Sequence, residues 1–225
     1  MYSKWLLSLG LLASVGLSAA SPTVYLIRHG EKPDDGGTGL NAQGLKRAQC
    51  LRKVFGGDSP YQIGYIMAQK PKKNGKRARP YDTVHPLAED LGLTVDTSCD
   101  RDDAGCVKDA VHKYDGKGNI LICWEHKKLT DIVAELGDGD APEYPSESFD
   151  LIWTDPSPYS NITEITSEHC PGLDGEHGED HEDGKSEGEE GKQSEDGEDH
   201  KKHDEHEGSE EYGEDEEDGE DEDDE

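Results

Sequence analysis

The stretch from Thr23 to Glu31, TVYLIRHGE, decides the fold of this chain. Val24 to Ile27 are apolar without alternation, which predicts a strand buried on both faces of a sheet. Gly30 then allows a sharp turn. Because ligands of open α/β sheets bind at the carboxyl ends of the strands, Arg28 and His29 are candidates for a functional site.

Further apolar segments alternate with helical patterns along the chain. Strands are predicted at 63–68, 93–95, 119–124 and 149–153, and helices at 41–55, 81–91, about 103–114 and 128–136. Pro86 is expected to kink or split the second helix. The alternation predicts a three-layer α/β fold, in which a mostly parallel sheet is flanked by helices.

The first helix has a predicted core face and a predicted solvent face. The core face is expected from apolar residues near 3.6 spacing, namely Leu45, Ala48, Leu51, Val54 and Phe55. The solvent face is expected from the basic residues between them, namely Lys46, Arg47, Arg52 and Lys53. Asn41 is the predicted N-cap.

The net charge of −30 is concentrated at the end of the chain. Twenty-nine of the 53 acidic residues lie in the segment 171–225, which also holds five of the ten histidines. Such a segment has too little apolar surface to fold and is predicted to be a disordered acidic tail. It is a solubilising segment, a weak binding site for divalent cations, or a segment that visits the basic loop at 70–79 and competes there with anionic substrates. An acidic chain of this kind is not expected to bind nucleic acid.

Residues 1–20 have the pattern of a secretory signal peptide. Lys4 precedes an apolar run, and Ser18-Ala19-Ala20 offers a small-residue cleavage site. The run is short for a membrane span, so cleavage and secretion are favoured, with no membrane attachment afterwards. Residues 21–170 then form one domain. The sequon at Asn161 predicts glycosylation.

Five cysteines are present, and an oxidising compartment favours disulfides between them. Cys99 and Cys106 are near enough to close a small loop, and Cys50 could be linked to Cys123. The spacing does not determine the connectivity, which leaves Cys170 open as well. No cysteine spacing is typical of a zinc site.

Two predicted strands end in histidine, at His29 and at His126, and a third leads to Arg79 at a helix start. In a parallel sheet these ends share one edge, so two imidazoles and the guanidiniums of Arg28 and Arg79 would converge. Guanidinium groups match phosphate oxygens, and a neutral imidazole can attack phosphorus. The arrangement predicts phosphoryl chemistry.

Four motifs in this order resemble the histidine phosphatase superfamily, the phosphoglycerate-mutase-like fold. They are the RHGE at 28–31, the LNAQG at 40–44, the RPYDT at 79–83 and the strand ILICWEH at 120–126. The resemblance implies that His29 is the nucleophile and that Arg28, Arg79 and His126 hold the phosphate. It also implies a hydrolase that needs no metal or other cofactor.

The resemblance leaves the proton donor open. Many members supply it from an acidic residue after the second helix, which points to Asp102 or Asp103, with Asp100 nearby. Others use an aspartate directly after the second histidine, but Lys127 stands there. Glu31, Asp82 and Glu125 are further candidates.

The sequence therefore predicts a small secreted phosphatase that hydrolyses small phosphomonoesters through phospho-His29. One alternative is a non-catalytic relative that keeps the phosphate pocket for binding. Another is a secreted protein that binds cations or a surface through its acidic tail.

Overall fold

The computed structural model describes residues 21–174 of the 225-residue chain. The predicted signal peptide lies outside the described residues, as does the predicted tail after Asp174. The strands are β1 Thr23–Arg28, β2 Ile63–Ala68, β3 Val95–Asp96, β4 Asn119–Trp124, β5 Leu151–Pro156 and β6 Glu164–Ser167. The helices are α1 Ala42–Val54, α2 Arg79–Leu91, α3 Ala104–Lys113 and α4 His126–Leu136.

The six strands form one sheet in the order β3-β2-β4-β1-β5-β6. Strands β1 to β4 are parallel, whereas β5 and β6 join as antiparallel strands at one edge. One face of the sheet packs against α3 and α4, and the other packs against α1 and α2. The predicted three-layer α/β fold with a mostly parallel sheet is confirmed.

The prediction of a last strand at 149–153 is wrong in two respects. Strand β5 runs from Leu151 to Pro156, and β6 follows it. Strand β6 lies at the sheet edge with no fully buried residue, so its sequence carries no apolar alternation to reveal it. Helix α2 is not split at Pro86, because Val84, Leu87 and Ala88 hold it against the sheet on both sides of the proline.

Two predictions about the faces of helix α1 are wrong. Leu45 was expected in the core but is 58% exposed. Arg47 was expected in solvent but is 2% exposed, and it pairs with Glu31, Glu168 and Asp174 at 2.6–2.8 Å. A buried guanidinium is stable only with such partners, so Arg47 ties α1 to the loop after β1 and to the segment after β6.

Two disulfides join cysteines of the domain. Cys99 pairs with Cys106, as expected, and Cys50 pairs with Cys170. The suggested link from Cys50 to Cys123 is wrong, because Cys50 faces the segment after β6 while Cys123 is buried in β4. Within residues 21–174, no helix has the length and apolar character needed to cross a bilayer.

Candidate active site

Four predicted residues meet at the carboxyl edge of β1 and β4. The two strands are parallel with Arg28 opposite Trp124, and the His29 backbone N–H donates to the Trp124 carbonyl at 3.1 Å. Helix α4 begins at His126 and α2 begins at Arg79. Thr83 on α2 accepts the Gly30 N–H and donates to the Arg79 carbonyl, so the starts of α2 and α4 both lie beside the end of β1.

The His29 ring is held in one tautomer. Its Nδ1 lies 2.7 Å from the Gly30 carbonyl oxygen, which can only accept a hydrogen bond. Nδ1 therefore carries the proton, and Nε2 of the neutral ring keeps its lone pair. His29 is 5% exposed, so burial holds the ring in this orientation.

Burial is the main cause that lowers the pKa of His29, which falls to about 4. The hydrogen bond to Gly30 opposes this shift, whereas the positive charges of Arg28 and Arg79 and the neighbouring His126 add to it. Near neutral pH the ring is uncharged. A buried imidazole of this kind is a nucleophile without needing a separate base.

Arg28 is clamped by the loop before β5. Its Nη1 donates to the carbonyls of Ser146 and Ser148, the latter at 2.8 Å, and its guanidinium carbon lies 3.7 Å above the centre of the Phe149 ring. Its Nε is buried and has no hydrogen-bond partner among residues 21–174. A fixed guanidinium with an unused donor is suited to an incoming anion. The sequence alone did not predict that this loop contacts Arg28.

Arg79 and Thr83 connect α2 to the opposite side of the site. Arg79 donates to the carbonyls of Gly37 and Gly39 at 2.6 and 3.1 Å, which fixes its guanidinium. The Thr83 hydroxyl donates to the Arg79 carbonyl at 2.8 Å and accepts the Gly30 N–H at 2.9 Å. Thr83 thus holds the turn after His29. The RPYDT motif contains Thr83, but the sequence alone does not indicate its role.

Two glycines allow the turn after His29 to contact the start of α1. A Cβ on Gly44 would lie 2.6 Å from the Glu31 carbonyl oxygen, and a Cβ on Gly30 would lie 3.0 Å from the Gly44 Cα. The predicted N-cap Asn41 is confirmed, since its side chain accepts from Gln43 and Gly44. The LNAQG motif at the start of α1 therefore packs directly against the RHGE turn.

Replacing Gly44 by alanine is expected to destabilise the protein by about 1–3 kcal/mol, because the new methyl group overlaps backbone rather than a movable side chain. Gly39→Ala is the control, since a Cβ there has no neighbour within 4 Å. Urea unfolding measures both variants. Equal stability of the two would contradict this packing.

Glu125 and His126 form the other side of the site. Burial lowers the pKa of His126 to about 4, helped by the charges of Arg28, Lys127 and Lys32. The Glu125 carboxylate lies 3.3 Å from His126 Nδ1, without the alignment of a hydrogen bond, and its charge acts on both Arg28 and Arg79. The buried Gln69 side chain accepts the Glu125 backbone N–H at 3.1 Å, a contact that no sequence motif predicts.

The other proton-donor candidates have different partners. Asp103 caps α3 by accepting the Cys106 N–H, and Asp102 pairs with Arg101 and Lys128 at 3.1 and 3.4 Å. Asp100 pairs with Lys70, and Glu31 is held by the buried Arg47. Among Asp102, Asp103 and Glu125, only Glu125 contacts a residue of the site, since its carboxylate lies 3.3 Å from His126 Nδ1, and its charge acts on Arg28 and Arg79.

The unusual pKa of His29 has a consequence for folding. The unfolded chain binds a proton near pH 6.5 and the folded chain only near pH 4, so stability falls as the pH drops from 6.5 towards 4. His29→Asn removes the titrating group and with it this pH-dependent part of the unfolding free energy. Between about pH 8 and pH 5, wild type should lose about 2 kcal/mol more unfolding free energy than His29→Asn.

Urea unfolding at the two pH values measures the difference. The matched control is His112→Asn, since His112 is exposed on α3. A variant at His112 that flattened the pH dependence as much as His29→Asn would contradict the assignment.

One cluster of metal-ligand residue types is present among residues 21–174. Ligand atoms of Glu168, Cys170 and Asp174 lie within 4.8 Å of one another. Cys170 is in a disulfide, and both carboxylates bind Arg47. These residues are therefore occupied by structural contacts.

Comparisons with known proteins give structural likenesses only. No family model matches the sequence, and no curated protein matches it. The structure of the protein histidine phosphatase SixA complexed with tungstate is similar over 65% of this chain and 97% of its own, at 17% identity and a TM-score of 0.48. A phosphoserine phosphatase mutant from Entamoeba histolytica, complexed with phosphoserine, is similar over 67% and 99%, at 10% identity and a TM-score of 0.46.

Both structures come from the superfamily that the four motifs resemble. The sequence identities and TM-scores of these two structures do not assign an activity to this chain. The functional assignment therefore rests on the geometry of His29, His126, Arg28 and Arg79.

Proposed function

We propose that the chain is a phosphomonoesterase that acts through phosphohistidine at His29. The observation that carries the proposal is the buried, neutral ring of His29, whose proton is held on Nδ1 by the Gly30 carbonyl. The lone pair on Nε2 is free, and the positive charges of Arg28 and Arg79 act on the same ring. A phosphoryl group would supply the acceptor that the buried Arg28 Nε lacks.

In the first step, His29 Nε2 attacks the phosphorus in line with the leaving oxygen. The N–P bond forms as the ester P–O bond breaks, and the leaving oxygen takes a proton. Arg28 and Arg79 stabilise the charge on the other phosphoryl oxygens in the transition state. Because the two guanidiniums supply positive charge, the step as written uses no metal ion.

We assign the proton transfer to the carboxyl group of Glu125. Its carboxylate lies 3.3 Å from His126 Nδ1, its charge acts on Arg28 and Arg79, and Gln69 fixes its backbone. In the second step, water attacks phospho-His29, the Glu125 carboxylate accepts a proton from that water, and the P–N bond breaks. Phosphate leaves, and His29 and Glu125 return to their starting protonation states.

Hydrolysis of p-nitrophenyl phosphate tests the proposal, with the full chain compared against His29→Ala. Hydrolysis by wild type that is lost in the variant supports it. Phosphate binding without hydrolysis by wild type would instead favour the non-catalytic relative. The other alternative, action through the acidic tail, concerns residues outside the described part of the chain.

Secretion and glycosylation belong to the same proposal. Two disulfides join cysteines within residues 21–174, as is common in oxidising compartments. Asn161 is exposed in the turn before β6, where a glycan has room. A mobility shift on enzymatic removal of glycans from the secreted protein, absent in Asn161→Gln, would support both.

A further inference from the structure

Two lysines stand beside the candidate active site without carboxylate partners. Lys32 lies four residues after Arg28, and Lys127 lies three residues after Trp124. Arg28 and Trp124 are opposite each other in the parallel strands β1 and β4. The segments that follow these two strands therefore leave the sheet side by side. Both lysines are exposed, and the charges of both act on His126.

Other basic residues near the site do have carboxylate partners. Lys128 pairs with Asp102 and Asp131, and Arg77 pairs with Asp102. Within residues 21–174, neither Lys32 nor Lys127 forms an ion pair with any carboxylate. Two exposed cations next to a cationic phosphate site repel it and each other, unless an anion binds between them.

The surrounding backbone fixes where these lysines emerge. The Asn41 side chain donates to the Lys32 carbonyl at 2.9 Å, which anchors Lys32 to the start of α1. Lys127 is in the first turn of α4, directly after the N-cap Glu125 and His126. Helix N-termini favour anions, so Lys127 stands where a bound anionic group is stabilised by the helix end as well as by the lysine.

We propose that Lys32 and Lys127 form a subsite for a second anionic group of the substrate. The inference rests on the proposed function and names its substrate class, namely phosphomonoesters that carry a carboxylate or a further phosphate near the ester. The reacting phosphoryl group occupies Arg28, His29 and Arg79, while the second anion lies on the His126 side. A neutral ester would leave the two lysines unused.

Two aryl esters of similar size test the subsite, phenyl phosphate and 4-carboxyphenyl phosphate. The kcat/KM ratio of the carboxylated to the plain ester is measured at low salt for the full chain and for Lys32→Ala/Lys127→Ala. The ratio should fall about fivefold in the double variant, since exposed ion pairs contribute modestly. Comparing ratios cancels the difference between the leaving groups.

Lys46→Ala/Lys53→Ala is the matched control, because both lysines are exposed on α1 and have no ion-pair partner among residues 21–174. It removes the same charge and should keep the wild-type ratio. An equal fall in this control would show a general field effect and overturn the subsite. An equal loss on both esters in the Lys32/Lys127 variant would also overturn it.

A binding experiment separates this inference from the proposed function. Calorimetry of the full chain compares phosphonoacetate, which carries a phosphonate and a carboxylate, with methylphosphonate. Tighter binding of phosphonoacetate, lost in Lys32→Ala/Lys127→Ala, supports the subsite even if no ester is hydrolysed. Equal binding of the two phosphonates by wild type overturns the subsite even if hydrolysis occurs.

Discussion

His29→Ala should lower kcat for p-nitrophenyl phosphate by at least about 10³-fold, because the variant has no atom that can form the phosphoryl intermediate. The ring nitrogen Nε2 is the nucleophile, and its lone pair exists because Nδ1 donates to the Gly30 carbonyl. Arg28 and Arg79 remain, so phosphate binding should be weakened far less than turnover. This split between binding and catalysis is the signature of a lost nucleophile.

Two measurements check this expectation. Release of p-nitrophenol gives kcat, and quenching wild type in alkali should retain a phosphoprotein that acid destroys, as expected for a P–N bond. The control is His112→Ala, which removes an exposed histidine on α3 and should keep the wild-type rate. If wild type and His29→Ala hydrolysed the ester at the same rate, the phosphohistidine mechanism would be wrong.

Glu125→Gln should lower kcat/KM, which reports the phosphorylation step, by about 10²–10⁴-fold for alkyl phosphates and much less for p-nitrophenyl phosphate. An alkoxide needs a proton to leave, whereas p-nitrophenolate leaves without one. The glutamine keeps the size of the side chain, so the loss reports on the proton. The measurement is the slope of kcat/KM against leaving-group acidity, which should steepen in the variant.

Asp102→Asn and Asp103→Asn are the controls for this prediction. Asp102 pairs with basic residues and Asp103 caps α3, so their loss should affect stability and leave the slope unchanged. A uniform loss on all leaving groups in Glu125→Gln would mean that Glu125 positions His126, which lies 3.3 Å away. No loss would mean that another group donates the proton.

Much of the site was predictable because its residues lie at the ends of regular elements. The apolar strands before His29 and His126 place both histidines at one sheet edge, and Arg79 begins a helix as expected. The role of Glu125 was harder to predict. Its neighbours Arg28 and Arg79 come from other elements, so only the fold separates it from Asp102 and Asp103.

The faces of α1 show the same limit. Periodicity placed Leu45 in the core and Arg47 in solvent, and the structure reverses both. Arg47 is buried because Glu31, Glu168 and Asp174 surround it. Apolar spacing predicts that an arginine between core positions is exposed. It contains no information about acidic residues from distant segments that can pair with a buried arginine.

The sequence by itself predicted the alternation of strands and helices from β1 to α4 and the three-layer fold, and it singled out His29, His126, Arg28 and Arg79 as candidate site residues. Apolar runs, caps and glycines act within a few residues, so they can be read directly from the chain. Only the tertiary structure decided the pairing of Cys50 with Cys170, separated by 120 residues, and the clamp of Arg28 by Ser148. These contacts depend on which distant segments the folded sheet brings together, and local spacing does not encode that choice.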